Sequence, residues 1–264
     1  MIRAAFFDID GTLISMRTHE ILPSTLETLS KLKEKGIRLY IASGRPPGQL
    51  TLLDPAFTAF AWDGYLMMNG QYCYTADRQV FRRQTIPLKT LQALVPWLKE
   101  HADFACTINE LDYAYDIAFN QSMHDYLSAI GRLDRMPPVD DPVRAYEHDT
   151  YMLCPYVPAE RDAEILSHAP GLMSARWSEH FADMIAEGGG KPEGMKAALA
   201  RDGISREECI AFGDGGNDIT MLEYAGIGVA MGNASDEVKK HADYVTAECE
   251  NDGISHAFKH FGLI

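Results

Sequence analysis

Two aspartates stand two positions apart directly after an apolar run, in Ala4-Ala5-Phe6-Phe7-Asp8-Ile9-Asp10-Gly11-Thr12-Leu13. A continuous apolar run of this length is the pattern of a strand buried on both faces, as in a parallel sheet. Its first polar residues then emerge at the carboxyl edge of the sheet, where open α/β folds bind ligands. Asp8 and Asp10, two apart, project to similar sides while the strand persists. Carboxylates that close repel each other unless a cation or hydrogen-bond donors compensate, so the pair asks for a metal ion. Gly11 lets the backbone turn tightly beside them. The plain alternative is an Asp-rich turn after a strand; the buried run before and the Gly-Thr-Leu after argue against it.

Three further segments repeat the geometry. Ile37 to Ala42 predicts a strand ending in Ser43-Gly44-Arg45-Pro46, and Cys209 to Phe212 predicts another ending in Gly213-Asp214-Gly215-Gly216-Asn217-Asp218. Between them, Gly188-Gly189-Gly190-Lys191 precedes a helix with Met195, Ala198 and Leu199 at i, i+3, i+4 spacing. A hydroxyl, a lysine and two pairs of aspartates therefore fall at strand ends or helix starts, which share one edge in a parallel sheet. Taken singly, Ser43-Gly44 is an ordinary turn, Lys191 a helix-start surface lysine and Asn217 a helix N-cap. Only the joint set makes a site.

This set, in this order, resembles the haloacid dehalogenase superfamily of phosphatases. Asp8 to Thr12 matches its DxDGT motif, Ser43 its strand-ending Ser/Thr, Lys191 its lysine, and Gly213 to Asp218 its GDGxND motif. Ser43-Gly44-Arg45-Pro46, Met68-Asn69-Gly70, Val229 to Ala234 and Ala242 to Thr246 followed by Asp252-Gly253-Ile254 resemble the Cof-like branch with the large type IIB α/β cap. Within it the chain looks most similar to sugar-phosphate phosphatases. Lys191-Pro192 departs from the usual Lys-Gly, but proline suits the first turn of a helix and leaves the lysine in place.

The resemblance implies Mg²⁺ held by Asp8, the backbone carbonyl of Asp10 and Asp214, with Asp218 binding its waters or orienting Lys191. A carboxylate such as Asp8 can attack phosphorus and form an acyl phosphate, and Asp10 can protonate the leaving alkoxide and then deprotonate water. Thr12, Ser43, Gly44, Lys191 and Asn217 are the expected phosphate-binding residues, because phosphoryl transfer needs charge stabilised on its non-bridging oxygens. Arg45 and Asn69 are expected to position substrate, although an arginine beside a turn can simply be exposed. Trp177 could stack on a sugar face or pack the cap against the core. The nine histidines carry no metal-binding spacing.

The elements that must position these residues predict an α/β fold: a doubly wound, Rossmann-like parallel-sheet core with an inserted α+β cap. The core is expected over residues 1–80 and 188–264. It includes a helix from Leu22 to Lys35 that stops at Gly36, and a hairpin near Tyr65 to Thr75. Residues 81–187 change texture. Helices are expected after Pro87, over Gln121 to Ile130 and over Pro158 to His168. Short strands are expected at Phe104 to Ile108, Tyr113 to Ala118, Tyr151 to Cys154 and Phe181 to Ile185, with a loop from Asp134 to Tyr146.

Bulk properties narrow the partners. Hydrophobic residues make up 46% and charged residues 23% of the 264, ordinary for a globular protein. The 24 basic against 38 acidic residues leave a net −14, which argues against nucleic acid or an anionic membrane surface as partner. Five scattered cysteines without C-x-x-C spacing suggest free thiols in a reducing compartment. No leader-like or membrane-spanning stretch is expected, and the cytoplasm is the default.

The reading is a Mg²⁺-dependent phosphomonoesterase acting on small phosphorylated metabolites, sugar phosphates first. A sugar phosphomutase would use the same core chemistry. A receiver-like phospho-acceptor module shares strand-end aspartates but lacks the inserted lid. Haloacid dehalogenation fits Asp10 and the large cap less well.

Overall fold

Ala4–Phe7 forms β1 with every residue buried. The alternation of its side chains supplies two cores. Ala5 and Phe7 enter one with Leu29, Leu32, Ile254 and Phe258. Ala4 and Phe6 enter the other with Met195, Ala198, Met221 and Leu222. Phe7 stacks on Phe212 at 5.1 Å, and Phe212 lies 5.0 Å from Phe258. Phe6 stacks on Tyr40 at 4.9 Å. Burying a phenylalanine this fully contributes roughly 1.5–3 kcal/mol, so the strand that carries Asp8 is anchored on both faces.

The computed structural model describes residues 1–101, 103–129, 131 and 133–264. They divide into two units, one of residues 1–45, 49–83 and 190–264, the other of residues 46–48 and 84–189.

In the first unit β1 is followed by α1 (Pro23–Glu34), β2 (Arg38–Ala42), the short α2 (Pro55–Ala59), β3 (Gly64–Met67), β4 (Tyr72–Thr75) and β5 (Val80–Arg83). Residues 81–83 thus belong to the sheet of this unit. The second unit holds α3 (Leu88–Glu100), β6 (Cys106–Asn109), β7 (Ala114–Asp116), α4 (Gln121–Ala129), β8 (Met152–Pro155), α5 (Asp162–His168), β9 (Leu172–Ala175) and β10 (Asp183–Ala186). The chain returns to the first unit with α6 (Lys191–Asp202), β11 (Cys209–Gly213), α7 (Ile219–Tyr224), β12 (Ile227–Ala230), α8 (Asp236–Lys240), β13 (Tyr244–Val245) and α9 (Gly253–His260).

The first sheet has the order β13-β12-β11-β1-β2-β3-β4-β5. Pairing is parallel from β13 to β3 and antiparallel from β3 to β5. Chain order runs outward from β1 through β2 and β3, then restarts on its other side with β11, β12 and β13. The reversal falls between β1 and β11, the switch point at which such sheets open a crevice beyond their carboxyl ends. This is the doubly wound α/β architecture that the alternation of elements predicts, with an antiparallel edge added.

The second unit is a five-stranded antiparallel sheet, β7-β6-β8-β10-β9. Leu94 and Leu98 of α3 and Ile165 of α5 pack with Ile108, Leu153 and Met184. Met123 and Leu127 of α4 pack with Met152, Cys154 and Ile185. The helix expected over Pro158 to His168 divides into a 3-10 turn at Ala159–Arg161 and α5. Ile130, expected to end α4, lies outside the described residues. The loop expected from Asp134 to Tyr146 carries 3-10 turns at Leu133–Arg135 and Pro142–Tyr146. No helix among the described residues is long and apolar enough to cross a membrane.

Candidate active site

Three side chains of the first unit each follow the last residue of a central strand. Asp8 follows β1, Ser43 follows β2 and Asp214 follows β11. The backbone keeps its pairing past those ends: Asp8 N–H donates to Phe212 O at 3.0 Å, and Ser43 N–H to Leu66 O at 2.8 Å. The sheet therefore fixes where these side chains begin.

Lys191, the first residue of α6, brings the cation. Its side chain has no exposed surface, and Nζ donates to Asp8 Oδ1 at 2.6 Å and to Asp218 Oδ1 at 2.5 Å. Pro192 sits in the first helical turn, where a missing N–H costs nothing. Asp218 is fully used: its Oδ2 accepts the N–H groups of Asp214 at 3.0 Å and Gly215 at 2.9 Å. Its Oδ1 holds Lys191, one of the two roles expected of it.

One lysine does not neutralise this cluster. Asp8, Asp214 and Asp218 each offer a carboxylate oxygen, and those oxygens lie within 4.8 Å of one another. Burial, followed by the charges of Asp218 and Asp10, pushes the Asp8 carboxyl up to about 7 against the pull of Lys191. Burial, then Asp8 and Asp218, pushes Asp214 up to about 8. For Lys191, burial works downward, and the carboxylates of Asp218 and Asp8 outweigh it and raise the ammonium overall. A hard oxygen set short of positive charge fits a small divalent cation.

Asp10 is turned to another partner. Arg45 Nε donates to Asp10 Oδ2 at 2.6 Å and Nη2 to Oδ1 at 2.7 Å, a two-pronged ion pair. The Asp10 carboxylate is therefore not among the three clustered oxygens, and Arg45, expected on the substrate, lies on a carboxylate of the chain itself.

Thr12, expected at the phosphate, is buried and donates Oγ1 to Asp214 Oδ1 at 2.8 Å. Ser43 is buried, and its Oγ accepts the Arg45 N–H at 3.2 Å. Gly44 continues the same turn. Asn217 donates Nδ2 to Asn69 Oδ1 at 2.9 Å, so the two asparagines expected to meet phosphate and substrate meet each other. Gly11 has φ +83°, and a Cβ there would collide with Asp214 Oδ2; glycine is required twice over.

Trp177 belongs to the second unit. It is 41% exposed, donates Nε1 to Asp183 Oδ2 at 3.1 Å and lies edge-on to Phe181 at 5.0 Å. Its ring is thus held by polar and aromatic contacts inside its own unit.

Asn233, not among the predicted site residues, also reaches the carboxylate cluster. It donates Nδ2 to Gly11 O at 2.9 Å and to Asp214 Oδ2 at 3.4 Å, while its Oδ1 accepts the Cys249 N–H at 2.8 Å. Its signal lies in the Val229 to Ala234 motif, where a lone asparagine follows a strand.

Comparison with known proteins gives the family. A family model of haloacid dehalogenase-like hydrolases matches residues 5–258. A putative phosphatase of Bacillus subtilis (strain 168), YkrA, is 32% identical over 259 residues, covering 98% of this chain and 97% of its own. The pyridoxal phosphate phosphatase YbhA of Escherichia coli (strain K12) is 30% identical over 271 residues, covering 96% of each. Among solved structures, BT4131, described as a HAD subclass IIB sugar phosphatase, superposes with a TM-score of 0.88 at 37% identity, covering 99% of this chain and 100% of its own. BT1666 of Bacteroides thetaiotaomicron, from an account of phosphatases of that superfamily, gives 0.92 at 34% identity, covering 100% and 96%.

Proposed function

The chain belongs to the haloacid dehalogenase-like hydrolases and is a phosphomonoesterase, and we propose that it hydrolyses phosphate monoesters of small metabolites, sugar phosphates first, through an aspartyl phosphate on Asp8 with Asp10 as general acid and base. One observation carries this reading: the buried Lys191 ammonium between Asp8 and Asp218, beside Asp214, at the switch point of the sheet. It holds a carboxylate nucleophile and a fixed cation where a dianionic ester would arrive.

The chemistry follows from the residues. An Asp8 oxygen attacks phosphorus, the ester P–O bond breaks, and Asp10 gives its proton to the departing alkoxide. Asp10 then takes a proton from water, the water oxygen attacks phosphorus, and the bond to Asp8 breaks to release inorganic phosphate. Lys191, the Ser43 hydroxyl, the Gly44 N–H and the Asn217 amide stabilise the phosphoryl oxygens, where charge is spread in the transition state. Thr12 and Asn233 hold Asp214 in place.

Asp8, Asp214 and the main-chain carbonyl of Asp10 are the groups that would hold Mg²⁺. The ion would supply charge that neutralises both the carboxylates and the incoming ester. Residues 84–189 are proposed as the cap that determines specificity, with Trp177 as a sugar-facing candidate. The sugar reading is supported by the likeness to BT4131, and YbhA puts pyridoxal phosphate on the same panel. Five buried, unpaired cysteines support a reducing compartment, the cytoplasm.

The test is phosphate release across hexose, pentose and pyridoxal phosphates and nucleotides, with borohydride trapping of the enzyme during turnover. Trapping should convert Asp8 to homoserine. Release of phosphate with no label at Asp8 removes the covalent step, and no release from any ester removes the function.

A further inference from the structure

The turn that follows β12 is held by main-chain contacts on two sides. Met231 N–H donates to the carbonyl of Gly213, the residue before Asp214, at 3.0 Å, and Gly232 N–H donates to Ala247 O at 3.0 Å. Thr246 N–H donates to Ala230 O at 3.0 Å, and the Thr246 hydroxyl to Gly253 O at 2.6 Å. The segments touch backbone to backbone: a Cβ at Gly232 would lie 2.6 Å from Glu248 N, and one at Gly253 would lie 2.2 Å from Ala247 O. The main chain therefore sets where Asn233 stands relative to Asp214 before its amide makes any contact.

Asn233 is exposed, and an asparagine in an exposed turn ordinarily gives its amide to water or to its own backbone. This one joins three segments instead. Cys249 N–H donates to its Oδ1, while its Nδ2 donates to Gly11 O and to Asp214 Oδ2. The reverse orientation of the amide would set Nδ2 against an N–H and Oδ1 against two oxygens, so the contacts permit one orientation only. Thr12 Oγ1 donates to the other oxygen of Asp214. Each oxygen of that carboxylate thus accepts one neutral donor, and its plane is fixed between them. Gly11, whose carbonyl the same amide holds, follows Asp10 directly and lies against Asp214, where a Cβ would come 2.2 Å from Oδ2.

We propose that Asn233 is a positioning residue for cation binding: it holds the Asp214 carboxylate and the Asp10–Gly11 turn in the spacing that receives the ion. This rests on the reading of Asp8, Asp214 and the Asp10 carbonyl as the Mg²⁺ set, and it names the group that orients two of the three. The chemistry of the amide suits the task. A cationic donor here would compete with the ion for the charge of Asp214, whereas a neutral amide orients the oxygens and leaves their charge to the metal. Removing a partner that orients a metal-ligating group lowers metal affinity by ~10–100-fold.

The experiment titrates Mg²⁺ into the metal-free protein and follows the melting temperature of the wild type, Asn233→Ala, Asn233→Leu and Glu250→Gln. Leucine keeps roughly the outline of the asparagine side chain and removes its donors. Glu250 follows Cys249 and binds Ser15 and Arg17, so its variant loosens the same turn without touching Asp214. The dissociation constant for Mg²⁺ should rise ~10-fold or more in both Asn233 variants and stay unchanged in Glu250→Gln. The Mg²⁺ concentration that gives half-maximal phosphate release should move by the same factor. A merely structural asparagine gives another pattern: a lower melting temperature without metal and an unchanged dissociation constant. That result, or an equal rise in Glu250→Gln, overturns the proposal. If one Asn233 variant does not fold, the other carries the comparison. A wild type whose melting temperature does not respond to Mg²⁺ overturns the metal reading itself, and the proposal with it.

Discussion

Arg45 grips Asp10 through both carboxylate oxygens, at 2.6 and 2.7 Å, with the two side chains 15% and 28% exposed. An arginine fork on a carboxylate fixes its orientation as well as its charge. An arginine so held should act through Asp10, and a double-mutant cycle separates that from direct substrate binding. Asp10→Asn should lower turnover of alkyl phosphates by ~10²–10⁴-fold. Arg45→Ala should lower it less, and the double variant should be no worse than Asp10→Asn alone. Losses that multiply would return Arg45 to the substrate.

Asp8 and Lys191 are expected to differ in what they cost. Asp8→Asn keeps the shape and removes the attacking charge, so turnover should fall by ~10³-fold or more with the fold intact. Lys191→Ala leaves the Asp8 and Asp218 carboxylates buried without their cation, a loss on the order of 3–5 kcal/mol of stability. It should also depress all phosphate esters by similar factors, whereas Trp177→Ala should change their ranking. Chemical denaturation of both core variants, with kinetics on several esters, checks this. A Lys191 variant as stable as the wild type contradicts an uncompensated buried charge at this cluster.

Metal binding should be visible without turnover. Three carboxylate oxygens within 4.8 Å repel one another, and an ion that binds the folded state alone stabilises it by ~2.7 kcal/mol at a hundred times its dissociation constant. Mg²⁺ should raise the melting temperature, chelator should abolish both the rise and phosphate release, and Asp214→Asn should lose the rise. Full turnover in excess chelator rules the ion out.

Asp116 sets a separate pH response in the second unit. It is 1% exposed, its Oδ1 accepts Thr107 Oγ1 at 2.5 Å, and its Oδ2 has no partner among the described residues. Burial pushes its carboxyl up to about 6, the Thr107 hydrogen bond pulling the other way. Between pH 3.8 and about 6 the folded chain holds a proton that the unfolded chain has released. This contribution to stability therefore falls as pH rises through that window and stays lost above it. Asp116→Asn should be more stable than the wild type above the window, by on the order of 1–3 kcal/mol. The difference should vanish near pH 4. A constant difference across urea titrations from pH 4 to 8 contradicts this.

The parts of the site legible in the sequence are those whose position is set by local pattern. Asp8, Ser43 and Asp214 each follow an apolar run, and a buried parallel strand delivers its next residue to the sheet edge. Lys191 opens an amphipathic helix. The Arg45–Asp10 pair and the Asn233–Asp214 contact join segments 35 and 19 residues apart, and no periodicity announces which polar groups will face each other. The same limit hides β5 and β9. Val80–Arg83 has no buried residue and Leu172–Ala175 has one, so neither shows the apolar face that marks a strand.

The pairing of β1 dictates an order of events during synthesis. Ala4 lies between Arg38 and Cys209, so one neighbour leaves the ribosome early and the other about 200 residues later. At ~5–20 residues per second the central strand waits ~10–40 s for its second partner. The five strands between Cys106 and Ala186 pair only with one another and can close in that interval. The nascent first unit meanwhile holds Asp8 and Asp10 without Lys191. Ribosome-stalled chains released at residue 190 should show protease protection over 104–186 and cleavage within β1 and β2, and chains extended past residue 245 should show neither site cut.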